Sequence, residues 1–197
     1  MVVALALRRV RRLVAIHEAG HAAMSLALGQ GHQEGVSIVT SGFAAGFHAV
    51  GDQPDLSRLP RFLALREATK QALVTLAGPI AEAVALGEAF DVGAFLSEAD
   101  QPSSDAGLLK EVLRVMEQHL GANEERAEEL ASVAAELLSR EDVAGLVDAV
   151  TDALVRRGRI GAEGLGRLHE QWPTDPALIR LPTTMATAWP RSQSWST

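Results

Sequence analysis

The chain has 197 residues and a formal net charge of −7, so a nucleic-acid partner, which requires a positive surface, is not expected. An apolar share of 47% matches a globular protein, and aromatics at 4% beside abundant Ala, Leu, Val and Glu favour helices over sheets. The absence of cysteine excludes disulfides, thiolate metal sites and cysteine nucleophiles, leaving His, Asp and Glu as metal ligands.

In chain order, Met1 to Leu7 is apolar, but the basic residues follow this run instead of preceding it, which is unlike a signal peptide. No stretch approaches the roughly 18 apolar residues of a membrane-spanning helix, so a soluble, cytoplasmic chain is expected. Arg8, Arg9, Arg11 and Arg12 form a basic cluster that reads either as a solvated helix face or as a lipid- or partner-binding patch. A helix is predicted from about Leu5 to Leu28, ending at Gly29 and Gly31. Val36, Ile38 and Thr40 alternate, as do Phe43, Ala45, Phe47 and Ala49, with Ser41-Gly42 between them, which predicts a β-hairpin. After a polar loop, Pro60 opens a second long helix to about Leu86, with a kink or boundary expected at Gly78-Pro79.

Residues 87–104 read as a loop, and Ser103 or Ser104 as the cap of a helix carrying Leu108, Leu109, Val112, Val115, Met116 and Leu120. Gly121 stops that helix and Asn123 caps the next, which carries an apolar stripe from Ala127 to Leu138. Asp142 opens a further helix with Val143, Leu146, Val147, Val150 and Leu154, and a short helix is expected near Glu163 to His169. Residues 1–170 are therefore expected to form one mainly α domain of α+β type, with residues 171–197 a mobile tail. Trp172, Trp189 and Trp195 could dock that tail on the domain or on a partner.

His17-Glu18-Ala19-Gly20-His21 is an HExxH motif within the first helix. Residues four apart are about one turn apart, so both imidazoles leave the same face and can reach one metal at about 2.0–2.1 Å. Glu18 stands beside them as a general base for a water that zinc makes acidic. A catalytic zinc needs a third protein ligand and an open position. Glu82 on the second long helix and Asp105 at the start of the third are both candidates, and spacing does not choose between them. His48, on the second hairpin strand, is a candidate oxyanion donor or substrate contact in a chain without tyrosine, or else a packing residue. His32, His119 and His169 read as ordinary loop and helix residues. The alternative for the motif as a whole is a surface helix with two incidental histidines.

The stretch Ala15 to Ala22 resembles the zinc motif of the peptidase domain of FtsH-type AAA metalloproteases. Val36 to Val50 is similar to the hairpin that follows it in that family. Leu76-Ala77-Gly78-Pro79-Ile80-Ala81-Glu82 is similar to the family's Leu-Ala-Gly-Arg-Ala-Ala-Glu signature, and Ser103-Ser104-Asp105 to its third-ligand segment. The helices from Glu124 to about Leu168 are similar to its C-terminal part, so the likeness covers about residues 8–170. It implies a zincin-like helical domain, a Zn²⁺ cofactor held by His17, His21 and Asp105, and Glu82 in support of a ligand histidine. Pro79 stands where the family has arginine, the loop before Asp105 is longer, and alanine follows Asp105 in place of leucine.

The function implied is a zinc-dependent endopeptidase acting on unfolded or flexible polypeptides. With no P-loop in this sequence the activity is expected to be independent of ATP, with a separate ATPase or adaptor partner and a homo-oligomer both open. The hairpin edge is expected to receive substrate as an added strand. Two further readings are a catalytically idle, metallopeptidase-like interaction module and a zinc hydrolase of a non-peptide amide.

Overall fold

Helix α1 spans Val2–Ala27 without a proline, and the chain leaves it through Gly29 at a φ of +69°, a conformation open to glycine. The computed structural model describes residues 2–30, 35–38, 47–49, 55–98, 101–120 and 125–175. Ala15, Ala19, Ala22 and Ala23 on α1 are completely buried. Small side chains let helix backbones approach, and Gly20 takes this furthest: a Cβ there would meet the Ala77 carbonyl oxygen at 2.5 Å.

The helix it meets is α2, Arg61–Leu86, with Pro60 as N-cap. Of the expected kink or boundary at Gly78-Pro79, the boundary is absent: α2 continues through Pro79 as one helix. Proline's ring normally crowds the Cβ of the residue before it, and Gly78 has none. What remains is the loss of the hydrogen bond that a residue at 79 would donate to the Thr75 carbonyl and the crowding of that carbonyl by the proline ring. From Gln71 to Gly78 every residue of α2 is buried, because α1 lies on it together with α4 (Asp105–Leu120) and α5 (Glu125–Ser139). Helix α6, Glu141–Arg157, packs on α1, and α7, Ala162–Gln171, packs on α6. Met24, Leu73, Leu76, Ile80, Leu109 and Leu146 sit at the centre of this core.

The predicted hairpin is present as β1 (Gly35–Ser37) and β2 (Phe47–Ala49), antiparallel, with Val36 opposite His48. A third strand, Arg159–Ile160 (β3), pairs with the other edge of β1, giving the order β2-β1-β3. Both edges of β1 are thus occupied, and the hairpin edge that stays available to an added strand is the outer edge of β2. Among the described residues, only the outer edge of β2 and that of β3 have no paired strand. Both β1 and β2 lie against α1.

The stretch 87–104, expected as a loop, contains a short helix, α3, Val92–Ser97. Asp91 nucleates it by accepting a hydrogen bond from the Ala94 N–H at 2.9 Å. Beyond α7, Trp172 lies over Gly145 of α6, where a Cβ would collide with the indole ring. His32, the Ser41-Gly42 turn, the Gly121 and Asn123 signals, and residues 176–197 with Trp189 and Trp195 lie outside the described residues, as do the side chains of His48 and His119. No helix is long and apolar enough to cross a membrane, among the described residues.

Candidate metal centre

His17 and His21 leave α1 one turn apart and point into the angle between α2 and the start of α4. Three side-chain atoms converge there: Nε2 of His17, Nε2 of His21 and Oδ2 of Asp105. The two nitrogens are 3.1 Å apart, and they stand 2.9 and 3.3 Å from the carboxylate oxygen. Ligand atoms at about 2.0–2.1 Å from a tetrahedral zinc are about 3.3 Å from one another, so the trio has nearly the spacing that a shared ion imposes. Three lone-pair-bearing atoms at such distances repel unless a proton or a cation lies among them.

The outward nitrogens are also engaged. His17 Nδ1–H donates to Glu82 Oε2 at 3.2 Å, and His21 Nδ1–H donates to the Val74 carbonyl at 2.7 Å. Each bond fixes the tautomer that leaves Nε2 free for a metal and holds the ring in its plane. The seat for His21 is one turn of α2, from Val74 to Gly78. A side chain at 78 would overlap the imidazole at Nε2 and Cε1, so only glycine lets the ring lie across this turn. Glycine inside a helix costs about 1 kcal/mol relative to alanine, which is the one signal in the sequence that position 78 serves something else. The Val74 carbonyl carries no sequence signal, being a backbone group.

Asp105 is set by the way α4 begins. The Ser104 hydroxyl accepts from the Gly107 N–H at 3.1 Å, and the Ser104 carbonyl accepts from Leu108 N–H at 2.8 Å, so Ser104 is the N-cap and Asp105 the first helical residue. A carboxylate in that position also faces the positive end of the helix dipole.

Burial works against charge on Asp105, but the hydrogen bonds from His17 and His21 outweigh it and hold the carboxyl far below the usual carboxylate range. Burial likewise disfavours a charged His17. The hydrogen bond to Asp105, with the negative charges of Asp105, Glu18 and Glu82, more than offsets this and raises its pKa. Glu18 is 7% exposed, and burial pushes its carboxyl up while the imidazoles of His21 and His17 pull it back.

Of the residues singled out in the sequence, His17, His21 and Asp105 form a group able to hold a metal ion, and Glu82 stands behind His17. Glu82 bonds to the far side of the His17 ring, while Asp105 faces both Nε2 atoms. A groove of about 650 Å³ near Val84, Phe90 and Ala131 shares no residue with this group. No protein-family model matches the chain, and none of the curated proteins matches it either.

Proposed function

We propose that the chain is a zinc-dependent endopeptidase, zincin-like in its motif helix and akin to the FtsH-type peptidase domain. The observation that carries this reading is the convergence of the two motif imidazoles with Asp105, within 4.8 Å of one another, beside the buried carboxyl of Glu18. Two imidazole nitrogens and one carboxylate oxygen are a donor set that suits zinc, and three protein ligands leave a position open. A bound zinc ion supplies Lewis acidity toward a peptide carbonyl and makes water nucleophilic near neutral pH.

The protein's own groups do the rest. Glu18 takes a proton from the attacking water and delivers it to the amide nitrogen as the C–N bond breaks. Burial raises its carboxyl above an ordinary glutamate, which matches a base to work closer to neutrality. Glu82 and the Val74 carbonyl keep the two imidazoles from rotating or exchanging tautomers. Substrate is received as an extended segment, and the outer edge of β2 is the strand edge beside α1 that offers backbone groups for it.

The test combines metal analysis with cleavage of casein. The purified chain is expected to carry about one zinc and to cleave unfolded casein without ATP. Glu18→Gln is expected to keep the zinc and lose at least about a hundredfold in rate. Equal, background-level turnover by parent and variant, with zinc bound in both, would replace this reading with a metal-binding interaction module.

A further inference from the structure

The first half of α1 stands clear of the helical core. Every residue from Ala6 to Arg12 is exposed, including Leu7 at 64% and Val10 at 58%. Exposed apolar side chains are ordinary when scattered, but these two are ordered by the helix. Leu7, Val10 and Val14 follow the spacing i, i+3, i+7, which places them along one stripe of α1. Arg8, Arg9 and Arg12 fall on the far side of the same turns, and Arg11, four residues after Leu7, on the flank of the stripe.

Charge is segregated as strongly as hydropathy. The chain as a whole is at −7, yet its first acidic residue is Glu18, so the exposed half of α1 is purely cationic. Arg12 forms an ion pair with Asp152 of α6 at 3.6 Å, tying this helix to the body of the domain. Arg8, Arg9 and Arg11 have no carboxylate within ion-pair distance among the described residues.

We infer that this half of α1 docks on the surface of an anionic lipid bilayer. Leu7 and Val10 enter among the acyl chains near the headgroups, and the arginines extend along the flanks to lipid phosphates and carboxylates. An apolar stripe flanked and backed by purely basic residues is the pattern of a helix that lies in the interface, and α1 lacks the continuous apolar length to cross it. The charge complementarity is with a surface of many closely spaced negative groups; the sparse apolar stripe supplies what an anionic polymer would not use.

The stripe also has a direction. The step from Val10 to Val14, His17 and His21 continues the same i+4, i+3, i+4 spacing, so the docked face and the metal-ligand face of α1 are one face.

The experiment is flotation of the full-length chain with vesicles of phosphatidylcholine alone and with about 30% phosphatidylserine, at low and at about 0.5 M salt. Binding is expected to the mixed vesicles only, and to weaken at least about tenfold in high salt. Leu7→Glu with Val10→Glu, and separately Arg8→Gln, Arg9→Gln and Arg11→Gln together, are each expected to abolish it. These side chains are exposed, so circular dichroism and zinc content should stay at parental values and report that the fold is intact. Equal binding to neutral and anionic vesicles, unaffected binding by either variant, or no flotation of a folded parent would each overturn the proposal. Tight binding of the parent to a DNA or RNA duplex without flotation would overturn it in favour of a nucleic-acid surface. Casein cleavage is not read in this test, so its outcome is independent of the peptidase assignment.

Discussion

The two carboxylates near His17 differ in which ring nitrogen they address, and that difference separates their roles. Asp105 faces Nε2 of both histidines, so removing it leaves a metal with two ligands. Glu82 touches only Nδ1 of His17, so removing it frees the ring without removing a ligand. Asp105→Ala is accordingly expected to lose nearly all zinc on dialysis, whereas Glu82→Ala weakens zinc binding by about ten- to a hundredfold and still retains it at saturating metal. Isothermal titration with zinc decides the order; a Glu82 variant that cannot bind while the Asp105 variant can would reverse the two roles. Sequence spacing could rank neither residue, because the choice depends on how α2 and α4 turn toward α1. The histidine pair was legible because its geometry is local to a single helical turn. Gly78 was visible only as an anomaly, and its meaning became clear once the His21 ring was seen to occupy the space a side chain would need.

At the level of elements, every described helix of ten residues or more was legible in the sequence, α4, α5 and α6 through an apolar stripe turned to the core. What periodicity missed is short. Helix α3 has six residues and rests on the Asp91 cap, and β3 has two residues whose partner strand lies more than a hundred positions upstream. Neither is long enough for a repeat to show. The start of α6 carries a testable local device: Arg140 donates two hydrogen bonds to Asp142, which also accepts from Val143 N–H at 3.0 Å. The hydrogen bond from Arg140 is the main cause holding the Asp142 carboxyl below its usual value. A depressed carboxylate pKa stabilises the fold above the unfolded value and loses that contribution as pH falls through the folded one. Asp142→Asn is therefore expected to destabilise by roughly 0.5–1 kcal/mol at pH 7, with the gap to the parent closing below about pH 4. Urea titrations at both pH values measure it, and a gap that persists in acid would assign the effect to packing.

Across the whole molecule, the candidate metal centre joins α1, α2 and α4, so occupancy and folding are linked. At a free zinc concentration a hundredfold above its dissociation constant, linkage contributes about 2.7 kcal/mol, and stripping the metal is expected to lower Tm by about 5–10 °C. An unchanged Tm after chelation, in a chain shown to have carried zinc, would mean that the metal binds the unfolded chain as well as the folded one and that this centre is not what holds it. The same span has a consequence during synthesis. His17 and Asp105 are 88 positions apart, and at about 5–20 residues per second a ribosome takes roughly 4 to 18 s to cover that distance. Throughout that interval the growing chain already displays Glu18 and both imidazoles, yet the carboxylate that would complete the trio is untranslated or still inside the exit tunnel. On the proposed peptidase reading, a nascent molecule of this kind passes among other unfolded chains, including its own copies on the same message, before the trio that cleavage would require is complete.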